Sequence, residues 1–349
     1  MASSTILPQF VKYICCDESS LDQIRVPQKF TNEHSNRLTE NWILSLCNGY
    51  NISVRYDSSN STLVGVRDLL VDFGLMGGEV LVFEHVDKGN FKVYIIGVDG
   101  CEMKYPGIVH ASQQSAALEV QSVNGGLRFL KFVSFEKPRF DEIDVPLSFA
   151  TEFATRMPSS IKYVLNNAAQ IEGFYDEFKR TLGCLRKVRK VLGLRTFTSF
   201  DCLLFKYDGR HNFKLSFFDG RNVEILLDTV VLRSANLCFS LRCPSHFSVE
   251  VMPCHMLYYC HGVDVPTGFF RTSVFWKKKD IITAYNGVQA WELEVRKRKF
   301  GKRATLNRGW IEFRDNLGLN VGDRCWFKWI DESYHRFRVE VVRAVPVVV

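Results

Sequence analysis

Val263-Asp264-Val265-Pro266-Thr267-Gly268-Phe269 is one of three occurrences of a single pattern: a β-branched residue, any residue, Val, Pro, two variable residues, then Phe. The other two are Ile24-Arg25-Val26-Pro27-Gln28-Lys29-Phe30 and Ile143-Asp144-Val145-Pro146-Leu147-Ser148-Phe149. Pro27, Pro146 and Pro266 stand 119 and then 120 residues apart, a period of domain size rather than solenoid size. A second block keeps the same period independently. Phe73-Gly74-Leu75 leads to Val80-Leu81-Val82-Phe83 and Phe91-Lys92-Val93-Tyr94-Ile95, and Leu192-Gly193-Leu194 leads to Leu203-Leu204-Phe205 and Phe213-Lys214-Leu215-Ser216-Phe217. The last copy reads Leu317-Gly318-Leu319, Gly322-Asp323, Cys325-Trp326-Phe327 and Phe337-Arg338-Val339-Glu340-Val341. Phe83, Phe205 and Phe327 are 122 residues apart at both steps. The spacing predicts one fold used three times, over residues 8–105, 127–226 and 244–344.

A chain of 349 residues with 46% hydrophobic residues can bury three cores of ordinary domain size. Its first residues lack a basic region followed by an apolar run, and no stretch approaches the roughly 18 apolar residues that span a bilayer. The expectation is a soluble intracellular protein with no membrane partner, whose eleven cysteines are reduced thiols because they follow no paired framework. Net charge is +7, unevenly spread. Lys and Arg against Asp and Glu number 10 to 14 in residues 1–130, 18 to 13 in 131–249 and 17 to 11 in 250–349, giving −4, +5 and +6. A polyanion would prefer the second and third copies.

Residues 110–126, rich in Ala, Ser, Gln and Gly, and residues 234–244 read as linkers. In the first copy Trp42, Leu44 and Leu46 alternate with polar residues, Asn48-Gly49 follows, and Tyr50, Ile52 and Val54 alternate again, which predicts a hairpin. The third copy repeats it with Asn286-Gly287 as the turn and Trp291, Leu293 and Val295 as the buried face of the return strand. In the second copy residues 161–165 read as one strand, but 166–181 show neither the turn nor an alternating return strand, so its hairpin reads as degenerate or rebuilt. Short helices are expected over 65–72, 183–190 and 309–316, where apolar residues recur three or four apart. Many short strands with few helices suit a barrel or sandwich and do not suit a doubly wound nucleotide fold.

The residues at these positions resemble the plant B3 DNA-binding domain. The third copy carries its outline in Gly309-Trp310-Ile311-Glu312-Phe313, Asn316-Leu317-Gly318-Leu319, Gly322-Asp323-Arg324-Cys325-Trp326-Phe327 and Phe337-Arg338-Val339. The first keeps Val26-Pro27, Gly65 and Gly78-Glu79 with Val66 where Trp is usual. The second keeps Val145-Pro146 and Asp201-Cys202-Leu203-Leu204-Phe205, with Cys184 at the Trp position and Phe200 at the Gly of Gly-Asp. Tandem divergent copies are similar to the reproductive-meristem branch of that superfamily. The resemblance implies a mostly β chain of three seven-stranded open pseudobarrels with short helices. Each would lay two arms into the DNA major groove, one before Val-Pro and one after the hairpin's return strand, and a β-ribbon does fit that groove.

In the third copy the return strand runs into Arg296-Lys297-Arg298-Lys299-Phe300-Gly301-Lys302-Arg303-Ala304-Thr305, six cations within eight residues at the place of the second arm. The other arm, residues 252–262, offers His255, Tyr258, Tyr259 and His261 for hydrogen bonding or stacking. Duplex DNA is therefore the expected partner, with Arg296, Lys297, Arg298, Lys299, Lys302, Arg303, Thr305, His255, Tyr258 and His261 as candidate contacts; a solvated turn or a nuclear-localisation patch is the plainer reading of the same basic run. In the first copy Asp17, Glu18 and Asp22 crowd one arm and Asp57 stands in the other, which would repel phosphate and suits a protein-contact role. In the second, Lys179-Arg180, Arg186-Lys187 and Arg189-Lys190 are candidates, the last four also reading as a solvated helix face. Cys254-His255 and Cys260-His261, near Cys238 and Cys243, hold ligand types that zinc accepts, but the spacing is wrong for a structural site. Phosphate loops, nucleophile elbows and paired metalloprotease histidines are absent, so neither enzyme, metal nor cofactor is expected. The expected place is the nucleus, as a transcriptional regulator; the alternative is a protein-interaction scaffold whose degenerate copies have lost DNA.

Overall fold

The structure, a computed structural model, describes residues 7–18, 21–105, 127–133, 140–153, 156–195, 197, 201–227, 246–259, 262–270, 276–297, 303–331 and 335–344. Both expected linkers lie outside the described residues. Three seven-stranded mixed sheets follow one another along the chain. The first contains β1 (Gln9–Tyr13), β2 (Gln23–Arg25), β3 (Asn41–Ser45), β4 (Asn51–Asp57), β5 (Thr62–Val64), β6 (Val80–Asp87) and β7 (Asn90–Ile96), ordered β1-β6-β7-β3-β4-β5-β2. The second contains β8 (Arg128–Phe132), β9 (Ile143–Asp144), β10 (Ser160–Leu165), β11 (Gln170–Asp176), β12 (Thr181–Gly183), β13 (Cys202–Tyr207) and β14 (Asn212–Phe218) in the same order. The third contains β15 (His246–Glu250), β16 (Val263–Val265), β17 (Lys279–Asn286), β18 (Gln289–Lys297), β19 (Ala304–Leu306), β20 (Arg324–Trp329) and β21 (Arg336–Val342), again in that order. Neighbours are antiparallel except for one parallel pair per sheet: β3 with β7, β10 with β14, and β17 with β21. Mostly β, with few short helices, the sheets curl into half-barrels.

The Val-Pro-x-x-Phe pattern has a physical reason in each copy. Its β-branched residue pairs with a leucine of the neighbouring strand: Ile24 with Leu63, Ile143 with Leu182, Val263 with Leu306. Proline then stops the ladder, since it has no N–H to donate, and opens a helix: α1 (Gln28–His34), α3 (Leu147–Phe153) and α5 (Thr267–Phe270). That turn drives the Phe into the core. Phe30, Phe149 and Phe269 meet the opening-strand rings of Phe10, Phe129 and Phe247 at 4.6, 4.9 and 4.7 Å. The opening-strand rings stack on Phe83, Phe205 and Phe327 at 4.5, 4.6 and 4.7 Å. The two periodic blocks of the sequence are thus the two sides of one aromatic cluster, and burying each ring contributes roughly 1.5–3 kcal/mol.

Helices α2 (Arg67–Asp72), α4 (Leu185–Val191) and α6 (Trp310–Asn316) fall where the apolar spacing put them. Two readings of the second copy are corrected. Its hairpin is intact: β10 pairs with β11 from Ser160↔Phe174 to Val164↔Gln170. Asn167-Ala168 replaces Asn48-Gly49, with Ala168 at φ +62° where Gly49 has +85°. The Asn167 carboxamide accepts the Ala169 N–H at 3.1 Å, as Asn48 accepts that of Tyr50, so an Asx turn supports the left-handed residue without glycine. Further, Cys184 does not stand at the Trp position. Its φ of +67° matches Gly65 and Gly309, at +95° and +91°, so Cys184 takes the glycine's place and Leu185 is the counterpart of Trp310.

The chain divides into two compact units, residues 1–237 and 238–349. Within the first unit the two copies join as a quasi-symmetric pair. Val11 N–H donates to the Asn222 carbonyl at 2.8 Å and Glu224 N–H to that of Gln9 at 2.9 Å, around a Phe10↔Val223 bridge. In return Leu130 N–H donates to Gly100 at 2.8 Å and Glu102 N–H to Arg128 at 2.9 Å, around Cys101↔Phe129. Each opening strand therefore has its outer edge covered by the turn that follows the other copy's closing strand, which protects both edges.

Candidate nucleic-acid interface

The β16-β19-β18 edge of the third sheet positions the residues of interest. Thr305 lies opposite both Asp264 on β16 and Arg296 on β18, is buried, and accepts a hydrogen bond from the Asn307 carboxamide at 3.3 Å. Arg303 is exposed beside Asp264, 3.1 Å away. Arg296 is exposed and bonded to Glu294, which the neighbouring guanidinium holds below its usual carboxylate range. Lys297 differs from Arg296. Its ammonium turns inward to the carbonyl of Trp276 and is half-buried, and this burial lowers its pKa. Arg298, Lys299, Lys302 and His261 lie outside the described residues.

Strand pairing adds cations that the linear reading overlooked. Lys279 sits opposite Arg296, and the Lys278 carbonyl accepts the Lys297 N–H at 2.9 Å, so the exposed Lys277, Lys278 and Lys279 flank the root of the basic arm. Like charges directly opposite on a sheet are destabilising; Lys279 and Arg296 persist with Glu294 as local relief. The signal was visible as Lys277-Lys278-Lys279, but only the β17–β18 register brings it to the site.

The first arm is held by the helix that carries the tryptophan signature. The His255 carbonyl accepts from Trp310 Nε1 at 3.2 Å and from Arg314 Nη1 at 3.3 Å, and the Met256 carbonyl accepts from the same guanidinium at 2.8 Å. His255 Nδ1 accepts the Met252 N–H at 3.0 Å within the short 3₁₀ turn Pro253–Met256. Burial lowers its pKa, so at neutral pH His255 is an uncharged group that shapes the arm. Tyr258 and Tyr259 project with 86% and 69% of their surface exposed, enough for ring faces to stack on a ligand.

The same positions in the other copies carry opposite charge. Thr62 and Thr181 correspond to Thr305, and the residues opposite them are Asp57 and Asp176, where the third copy has Arg296. Asp57 binds the Ser59 N–H and hydroxyl at 2.9 and 2.6 Å and the Asn60 carboxamide at 3.0 Å, closing the loop on a carboxylate. Asp176 accepts the Lys179 N–H at 3.0 Å. In the first arms, Asp22 and Asp141 accept the Arg67 and Arg186 N–H groups at 3.0 and 2.7 Å; both stand two residues before the β-branched position, as His261 does in the third copy. Glu18 is buried against Lys12 at 2.8 Å and does not face solvent. Arg186, Lys187 and Lys190 lie on the exposed side of α4. Phe178, at the tip of the β11–β12 turn, is fully exposed.

No family model matches the chain. Over 113 residues, 32% of its length, it is 27% identical to a B3 domain-containing protein of Oryza sativa subsp. japonica, and the match spans 27% of that protein. Among solved structures a hypothetical Arabidopsis thaliana protein shares 24% identity, with 26% of this chain and 89% of that one covered and a TM-score of 0.23. The rice similarity, together with three sheets of one topology, is that of a B3-like fold repeated three times.

Proposed function

We propose that this chain is a plant nuclear DNA-binding protein, a non-enzymatic transcriptional regulator of the multi-B3, reproductive-meristem type, which holds duplex DNA chiefly through its third copy. The observation that carries the reading is the charge inversion at one structural position: Arg296 in the third sheet, Asp57 and Asp176 in the first two. Lys277, Lys278, Lys279 and Arg303 reinforce it, and the similarity to a rice B3 domain-containing protein supports it. Phosphate contacts of this kind orient the protein on the duplex, while base choice falls to groups reaching the groove.

The test is binding of the full chain to labelled random duplex DNA from 50 to 200 mM salt. If about five cations neutralise phosphates, log affinity falls with log salt at a slope of about −4 to −5, using about −0.9 per phosphate. Arg296→Glu with Arg303→Glu should make the slope shallower by about two. Binding without salt dependence, or an unchanged slope in the double variant, sinks the proposal. A second reading, protein contact through the first two copies, is favoured by the full exposure of the Phe178 ring between Glu177 and Lys179. Under that reading Phe178→Ser leaves DNA binding untouched and abolishes a protein contact.

A further inference from the structure

The two junctions that join the first and second copies share one backbone geometry but differ in chemistry. Glu102 and Glu224 hold equivalent places, each bridged to the end of its closing strand, Ile96↔Glu102 and Phe218↔Glu224, and exposed by only 4% and 6%. Opposite Glu102 stands Arg128, whose guanidinium donates to both carboxylate oxygens at 2.9 and 3.1 Å and lies 3.5 Å above the Tyr94 ring. The Tyr105 hydroxyl adds a third bond at 3.2 Å. That carboxylate is paired with a cation and its oxygens have donors.

Opposite Glu224 stands Gln9, which brings no charge. Ser216 replaces Tyr94 and Leu227 replaces Tyr105. Gln9 Nε2 is directed to Glu84 at 3.3 Å, leaving Gln9 Oε1 and Glu224 Oε2 buried with no hydrogen-bond partner. Neither oxygen has a donor, and a buried ionised carboxylate without a paired cation is costly. A carboxylic acid, however, supplies the missing donor.

We propose that Glu224 is a proton-binding site built into the junction between the first two copies, and that loss of this proton loosens its junction while the Arg128–Glu102 junction stays closed. The groups facing Glu224 are consistent with this. Ser216 on β14 and Asn166 in the β10–β11 turn offer neutral hydrogen bonds, Lys214 on β14 a favourable charge and Glu84 on β6 an unfavourable one. Lys206 and Arg128 line the adjoining polar cavity of about 60 Å³ with Gln9, Glu84 and Lys214. Burial outweighs the favourable contacts and pushes Glu224 up from 4.5 to about 7. Because the folded pKa is raised, the junction is most stable below the unfolded value and weakens as pH rises through the folded one.

Amide hydrogen exchange of the full chain at pH 5.5 and 8.0, corrected for intrinsic rates, tests this within one molecule. Protection of the Val11 and Glu224 amides should fall on the order of tenfold at the higher pH, and that of the Leu130 and Glu102 amides should not. Glu224→Gln removes the difference, and so does Gln9→Arg, which supplies the cation found at the other junction. Equal pH response at both junctions overturns the proposal without recourse to any variant. So does a difference that survives in Glu224→Gln.

Discussion

Replacing Arg314 by Met removes the guanidinium that pins the first arm while keeping most of the stem's packing. The side chain is 8% exposed and its Nη1 serves the Met256 and His255 carbonyls at 2.8 and 3.3 Å. In the variant His255 keeps its bond from Trp310, whereas the Met256 carbonyl loses its described side-chain donor. A hydrogen bond from a charged donor contributes about 1.5–3 kcal/mol, and the longer one is the weaker. The ion pair to Asp315, itself 58% exposed, adds little, and relief of the buried charge offsets part of the loss. The balance is about 2 kcal/mol against the third copy, or about 8–16 °C in Tm for a domain of roughly 100 residues. Tryptophan emission isolates that copy, because Trp276, Trp291, Trp310, Trp326 and Trp329 all lie in it and only Trp42 lies elsewhere. Under the proposed function DNA affinity weakens while the salt slope stays constant, since no phosphate-facing cation is lost. A Tm within about 2 °C of the parent refutes the pinning role; a shallower slope would make Arg314 itself a phosphate ligand.

Asp323 is 2% exposed; burial alone would raise its pKa, but N–H groups of Ala344 and Asn320 at 2.8 and 2.9 Å and the Arg343 guanidinium at 2.8 Å outweigh it, and the pKa is lowered. Asp323→Asn should cost about 1–3 kcal/mol at pH 7. Because the folded pKa lies below 3.8, that difference should shrink as pH falls past it, read by tryptophan-monitored melts across pH. Ala168→Gly, at φ +62°, should stabilise the second copy by about 0.5–1 kcal/mol in chemical denaturation, and a destabilised variant would contradict the turn geometry.

The aromatic cluster was legible because a buried ring every domain length leaves a period that exposed residues do not share. Trp42, Trp291, Leu293 and Val295 were legible as inward faces by alternation alone, and all are buried. The second copy's turn and return strand were missed because Asn167-Ala168 lacks glycine, and a single Asx hydrogen bond does what the sequence signal was expected to do. Cys184 was misplaced by one position because a left-handed backbone angle, rather than residue type, defines the register there.

At the candidate interface the sequence supplied charge in linear order, enough to mark the run of six cations from Arg296 to Arg303 as a candidate and the first copy as acidic. It did not distinguish Lys297, turned inward, from Arg296, which is exposed. Nor could it join Lys277, Lys278 and Lys279 to the arm, or show that Arg296 occupies the place of Asp57 and Asp176. Repetition of buried residues is a one-dimensional property, because each copy must fill the same core, and the chain alone therefore determined three copies of one β fold. Which charges share a surface, and whether Glu102 or Glu224 receives an arginine, depend on cross-strand register between residues far apart in the chain, which only the tertiary structure decided.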